Sequence, residues 1–156
     1  MSERHAEVLV RPPILYLGGL FAGCLIELFL PVGPGLAGGT LRPVAVGLGL
    51  AAIGLGIGLK GIRQFSNAGT SLQVDEPTQA LVTDGLYRWS RNPIYIGLSV
   101  LYAGLAIALT TGWALLLLPV VIAVMNKGVI EREETYLATE FGEDYLAYKE
   151  RVPRWL

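Results

Sequence analysis

Histidine and cysteine are nearly missing from this chain, which has one of each, His5 and Cys24. A lone cysteine cannot close an internal disulfide, and no CxxC or CxxH metal pattern occurs. One histidine beside the N-terminus gives no basis for a Ser-His-Asp triad or a His-ligated zinc centre. Charge is scarce too, at 16% of residues against about 25% in an average soluble domain. An apolar chain with so little charge is not a disordered one. Basic excess is also absent: the net charge is −1 and the pI is about 5.8, so no nucleic-acid partner is expected.

What is there is apolar, at 53% hydrophobic residues with 20 glycines in 156 and a mean hydropathy of +0.52. These residues fall in blocks, not stripes. Pro13 to Leu30 carries one charge, Glu27; Leu41 to Leu59 carries only Arg42, with Lys60 following. Pro93 to Leu109 and Trp113 to Met125 carry none, and only Thr110, Thr111 and Gly112 separate them. A spanning helix needs about 20 predominantly apolar residues, and a buried helix of a soluble protein would show a polar face. The expected fold class is therefore all-α. It is an integral membrane protein of four transmembrane helices, near 13–30, 41–60, 93–109 and 112–127, in one domain over 1–156, with a cytoplasmic C-terminal helical segment. The fourth span is short unless Asn126 to Ile130 extend it. The first block ends without a small-x-small cleavage site, so it is expected to be retained and not removed as a secretory signal.

The basic residues orient this arrangement. Arg4, Arg11, Lys60, Arg63, Arg88, Arg91, Lys127, Arg132, Lys149, Arg151 and Arg154 all fall on one side of a four-span layout, and only Arg42 on the other. The positive-inside rule then puts both termini and the two polar segments in the cytoplasm. Small residues at Gly47, Ala51, Gly54 and Gly58, and at Gly19 and Gly23, recur at helical spacing. They suit close helix packing, within the chain or in a homodimer. Glu27, about one turn from Pro31, is the one acid inside a span; such residues are functional hypotheses by default, although this one can reach the interface.

Polarity concentrates in two segments. Residues 60–92 carry turn signals (Asn67-Ala68-Gly69, Asp75-Glu76-Pro77, Asp84-Gly85) and end in GLYRWSRNPIY. Asn92 suits an N-cap and Pro93 a first helical position. That would leave Arg88 and Arg91 just below the membrane at a helix N-terminus, where anionic groups are favoured. Topology anchoring and an aromatic belt of Tyr87 and Trp89 explain the same residues. In the second segment Glu134, Leu137, Phe141, Tyr145 and Tyr148 share one helical face, with Phe141-Gly142 a break or kink. A carboxylate heading an apolar face needs a cation or donor; a cationic ligand, Arg88, Arg91 or Arg132 could supply it. An acidic first turn meeting the helix dipole is the alternative.

GLYRWSRNPIYIG, followed about forty residues on by IEREETYLATEFGEDYLAYKERVPR, resembles the isoprenylcysteine carboxyl methyltransferase family and its bacterial relatives. The phospholipid N-methyltransferases share the pattern more loosely. The family shows Arg-His-Pro-x-Tyr-x-Gly opening a helix, an apolar span, a Glu-Glu pair and an F-G-x-x-Y-x-x-Y tail. Arg91, Pro93, Tyr95, Gly97, Glu133, Glu134, Leu137, Phe141, Gly142, Tyr145, Tyr148, Val152, Pro153 and Arg154 match it, over roughly residues 69–154. Asn92 departs from it, standing where many members have His.

The resemblance implies an integral membrane methyltransferase using S-adenosylmethionine at its cytoplasmic C-terminal half. Its implied catalytic residues are Arg91 and Asn92. Its implied cofactor contacts are Tyr87, Arg88, Pro93, Tyr95, Gly97, Glu133, Glu134, Leu137, Tyr145 and Tyr148, with no metal. The chemistry is compatible: Glu133 and Glu134 can meet an amino group or ribose, while Arg88 or Arg91 and the N–H groups opening the third span can meet a carboxylate. The expected acceptor is lipid-like or a small hydrophobic molecule, arriving from the bilayer among membrane lipids. A carboxylate acceptor, giving O-methylation, needs no general base. An NADPH-dependent membrane reductase of the sterol-reductase type and a non-enzymatic four-helix scaffold are the alternatives.

Overall fold

A computed structural model describes residues 11–32, 41–67 and 80–156. Among the described residues every regular element is helical. They are α1 Pro12–Phe29, α2 Leu41–Asn67, a short 3-10 turn Gly85–Arg88, α3 Pro93–Ala108, α4 Gly112–Met125, α5 Glu131–Phe141 and α6 Glu143–Arg151. A π-helical turn, Asn126–Ile130, joins α4 to α5, so one helix runs without a break from Gly112 to Phe141. Arg4, His5 and the turn signals at Ala68-Gly69 and Asp75-Glu76-Pro77 lie outside the described residues.

The apolar blocks became helices with nearly the expected ends, because prolines open two of them: Pro12 and Pro13 start α1 and Pro93 starts α3. Proline costs least at a first helical position, where its missing N–H has no partner to lose. α1, α2 and the Gly112–Phe141 helix are long and apolar enough to cross a membrane, and α3 is a shorter apolar helix. The second block overshoots its expected end: α2 continues from residue 60 to Asn67, carrying Phe65 under the loop that follows. Pro119 sits inside α4 without ending it, which apolar helices packed against neighbours tolerate.

Glycine decides the pairing. A methyl on Gly54 would stand 2.3 Å from the Leu101 backbone nitrogen, and one on Gly47 2.3 Å from that of Ala108. Conversely, a methyl on Gly97 would stand 2.5 Å from the Gly58 nitrogen and one on Gly104 2.3 Å from that of Ala51. α2 and α3 therefore lie backbone to backbone along the small-residue face read from the sequence. α1 meets α4 the same way, with Gly23 against Ala114 and Gly19 against the Val121 side chain. The glycine faces are used inside the chain.

Between these pairs lies the main core, built from Tyr16, Tyr102, Ala106, Ala114, Val121, Met125, Val129 and Ile130. Its polar atoms are satisfied locally. The Tyr102 hydroxyl donates to the Ala114 carbonyl at 2.9 Å, and the Tyr16 hydroxyl pairs with Ser99 Oγ at 2.7 Å. Large side chains on the outer faces of α1 and α2 are exposed, Phe21 at 69% and Ile53 at 59%, as lipid-facing residues would be.

Glu27 has a structural task. Its carboxylate accepts from the Trp113 backbone N–H at 3.1 Å and from Thr111 Oγ1 at 3.2 Å, at the start of α4, and from the Val32 N–H at 2.7 Å. The end of α1 is thereby clamped to the positive end of α4.

One expectation needs correction. Asn92 occupies the N-cap position of α3 but makes no side-chain cap; its amide turns away to bond the C-terminal tail. The break expected at Phe141-Gly142 is present: Gly142, at φ +52°, ends α5 and starts α6, a left-handed conformation that favours glycine. Tyr145, Tyr148 and Val152 form a second small core, with Leu137 and Phe141 of the same face and with Leu81 and Ala138 packed against it.

Candidate active site

The site is assembled from three pieces: the loop leading into α3, the first turns of α5, and α6 with the C-terminal tail. Gly85, at φ +61°, opens the 3-10 turn, and Gln64 Oε1 of α2 accepts from the Leu86 N–H at 3.0 Å. This turn buries Tyr87, whose ring lies 6.0 Å from that of Phe65. Its carbonyl accepts the Tyr148 hydroxyl at 2.7 Å. Burial pushes both of these tyrosine hydroxyls above their ordinary titration range, so Tyr148 remains a donor.

Ser90 to Asn92 are held by the tail. The Arg91 N–H donates to the Pro153 carbonyl at 3.0 Å. The Arg154 carbonyl accepts from Asn92 Nδ2 at 2.9 Å and from Ser90 Oγ at 3.2 Å. Ser90 Oγ also accepts from the Asn92 N–H at 3.0 Å.

Glu134 is the centre of charge. It is 7% exposed, a costly position for a carboxylate unless cations meet it. Three do. Arg91 Nη1 lies 2.9 Å from Oε1; Arg154 donates through Nε to Oε1 and through Nη2 to Oε2, both at 2.9 Å; Lys149 stands 3.5 Å from Oε2. Burial alone would raise its pKa. The Arg154 hydrogen bonds and the charges of Arg91, Arg154 and Lys149 outweigh burial and hold it below the ordinary carboxylate range. Arg91 Nη1 also donates to the Tyr145 hydroxyl at 3.4 Å.

Glu133, one residue earlier, meets a different environment. Its Oε1 accepts the Tyr95 hydroxyl at 2.6 Å, and no cation faces it among the described contacts. Burial, reinforced by the neighbouring Glu134 charge and opposed by the Tyr95 bond, pushes its pKa up to about 7. The pKa values of the adjacent glutamates are thus shifted in opposite directions. The Arg91 side chain is 10% exposed, yet its Nε–H has no hydrogen-bond partner among the described residues. Unpaired buried donors are rare because each costs about 1–3 kcal/mol.

The structure brings together Arg91, Glu134, Tyr145 and, beside them, Tyr95 with Glu133. Tyr148 and Leu137 support them from the second core, and Tyr87 is tied to it through the Tyr148 hydroxyl. Pro93 is buried at the start of α3. Arg88 is exposed at the end of the 3-10 turn, and Gly97 is packed against the α2 backbone, where it holds helices together. The sequence reading gave no site role to Ser90, Lys149, Asn126 and Trp155, nor to Arg154, which it matched only to the family's tail pattern. The available signal was the Val-Pro-Arg-Trp tail, in which Pro153 forbids a further helical turn and so releases the chain back toward the loop. A groove of about 450 Å³ is lined by Glu134 itself together with Glu131, Thr135, Ala138, Thr139, Lys149 and Arg154.

The described residues form apolar helices of the kind that cross membranes, with a buried arginine–glutamate cluster where one helix begins and another loses its apolar character. The profile of the phospholipid methyltransferase family matches residues 43–144, and the chain belongs to that family. Over 73 residues it is 36% identical to the protein-S-isoprenylcysteine O-methyltransferase of Schizosaccharomyces pombe, covering 47% of this chain and 31% of the relative. The mouse protein of the same name is 35% identical over 79 residues, covering 51% and 28%. An uncharacterized protein of Haemophilus influenzae is 48% identical over 61 residues, which are 38% of this chain and 97% of that one. The chain thus spans under a third of the length of the two methyltransferase relatives.

Proposed function

We propose that this chain is an S-adenosylmethionine-dependent methyltransferase working at a membrane surface. Its acceptor is a lipid-like or small hydrophobic molecule that presents a carboxylate for O-methylation. The observation that carries the reading is the Arg91 Nε–H, a buried donor without a partner among the described residues, on the loop that opens an apolar helix. The donor set suits the cofactor. Its carboxylate matches the Arg91 Nε–H, and its ammonium or ribose hydroxyls match Glu133, which no cation meets among the described residues. Bound there, the cofactor supplies an electrophilic methyl group on a sulfonium.

The protein's own contribution is positioning and exclusion of water. Glu134 fixes the Arg91 guanidinium, Tyr95 fixes Glu133, and Tyr87, Tyr145 and Tyr148 close the inner wall. Asn92 serves by holding the tail carbonyl. α3, about 24 Å long by its 16 residues at ~1.5 Å per residue, is the third and shortest of the four spans. The one-sided distribution of Lys and Arg favours a cytoplasmic site. The names of the fission-yeast and mouse relatives support methyl transfer to a carboxylate at a lipidated cysteine. The close packing of α2 on α3 and α1 on α4 accounts for the glycines that suggested a homodimer.

Calorimetry on the protein in nanodiscs tests the reading. The parent should bind S-adenosylmethionine and transfer labelled methyl to a component of a membrane lipid extract, and Arg91→Ala should lose binding. A parent that binds no S-adenosylmethionine overturns the proposal.

A further inference from the structure

We infer that the C-terminal tail, residues 152–156, is the positioning element of the site, and that Arg154 sets the orientation of Arg91 through their shared partner Glu134. The inference rests on the reading of Arg91 as the residue that meets the ligand's carboxylate. Arg91 is tied to the tail directly through its backbone and, by way of Glu134, through its side chain. Its backbone N–H bonds the Pro153 carbonyl at 3.0 Å, and its Nη1 meets Glu134 Oε1 at 2.9 Å. Arg154 takes both oxygens of the same carboxylate through Nε and Nη2. A two-pronged guanidinium fixes the plane of a carboxylate as well as its distance. With that plane fixed, the oxygen offered to Arg91 has one place to be, and Arg91 is left with Nε as the buried donor that no described group occupies.

The tail is itself anchored on both sides of this contact. The Arg154 carbonyl gathers Asn92 Nδ2 and Ser90 Oγ from the loop. Trp155 Nε1 donates to Asn126 Oδ1 at 3.0 Å, on the π-helical turn between α4 and α5, while its ring packs against the main core. Val152 is buried with Tyr145 and Tyr148. Five residues therefore tie the loop before α3 to the head of α5 and to α6, which lie far from that loop in the chain. Lys149 adds charge at 3.5 Å from Glu134, but an ammonium is a point charge and constrains no plane.

Arg154→Lys keeps the charge and removes the two-pronged geometry. Three measurements on the chain in nanodiscs read the outcome: the melting temperature, solvent exchange of the Arg91 Nε–H by nitrogen-15 NMR, and the dissociation constant for S-adenosylmethionine by calorimetry. The expected result is a melting temperature within a few degrees of the parent, Arg91 Nε–H exchange at least tenfold faster, and a dissociation constant about tenfold higher. Glu131→Gln, which removes only the 3.6 Å contact to Arg154 Nη1, should leave all three unchanged.

Unaltered Arg91 exchange in Arg154→Lys, or equal effects of Arg154→Lys and Glu131→Gln, overturns the inference. If Arg154→Lys does not fold, Trp155→Phe decides. It loses only the Asn126 bond, so faster Arg91 exchange supports the strap and unchanged exchange overturns it. A parent with a protected Arg91 Nε–H that binds no S-adenosylmethionine, paired with fast exchange in Arg154→Lys, overturns the methyltransferase reading and leaves the strap standing.

Discussion

Two alanine substitutions, two residues apart on α2, should have opposite effects. At Gly54 a new Cβ would stand 2.3 Å from the Leu101 nitrogen, 2.7 Å from the Gly97 oxygen and 2.8 Å from the Leu101 Cα. All three are backbone atoms, so no side chain can rotate aside. Restoring ordinary contact requires α2 and α3 to part by about an ångström, which forfeits a quarter to a half of each facing dispersion contact. The whole interface opens with it, because Gly47, Ala51 and Gly58 meet Gly104, Ala108 and Gly97 on the same line. Overpacking costs about 1–3 kcal/mol, offset by about 1 kcal/mol of helix propensity gained from Gly to Ala. The expected net loss for Gly54→Ala is about 1 kcal/mol, and up to about 2 kcal/mol where the helices cannot part. At Gly56 nothing lies within 4 Å of the new methyl, so only the propensity term acts, a gain of up to about 1 kcal/mol.

Thermal unfolding in nanodiscs, followed by ellipticity, separates the two. For a chain of this size 1 kcal/mol corresponds to about 2–4 °C, so Gly54→Ala should melt several degrees below Gly56→Ala. Equal melting temperatures would refute the backbone-contact account of α2–α3 pairing. The substitution should also impair the site, since Gly97 lies on the helix whose first residues follow Arg91 and Asn92.

Glu133 and Glu134 should tilt the pH dependence of stability in opposite directions. Glu133 is raised from 4.5 to about 7, so its contribution is present below about 4.5 and is lost as pH rises toward 7; Glu133→Gln should flatten that stretch of the melting profile. Glu134 is lowered, so its contribution is present above 4.5 and is lost as pH falls. Glu134→Gln should melt lower at neutral pH by an equivalent of about 3–5 kcal/mol, because Arg91 is left buried without its carboxylate; equal melting with the parent would contradict the cluster's geometry. Thr110 combines φ +52° with a buried hydroxyl that lacks a partner among the described residues, so Thr110→Gly should stabilise by about 1–2 kcal/mol, read as a rise in melting temperature. Glu27→Gln weakens the clamp on the start of α4 and should lower the melting temperature by the equivalent of about 1–2 kcal/mol; no change would mean the clamp carries no weight.

Local pattern alone determined that the described residues are helical, where the apolar segments start, and that a glutamate pair beside an apolar run needs a partner. Each is a property of a few neighbouring residues: a proline at a first position, a block without charge, a carboxylate beside an apolar run. The small-residue stripe was legible as a packing face, but its partner was not, since a stripe fits any backbone that comes close. Tertiary structure decided that α3 is that partner. It also decided that Glu133 and Glu134, identical and adjacent in sequence, differ in environment, because a helix turns successive side chains about 100° apart, one toward Tyr95 and the other toward Arg91 and Arg154. It turned Asn92 from a cap into a tie, and it brought a tail some sixty residues away onto the Arg91 loop. Contacts between distant segments are settled by which surfaces meet once the helices pack, and no local pattern contains that information.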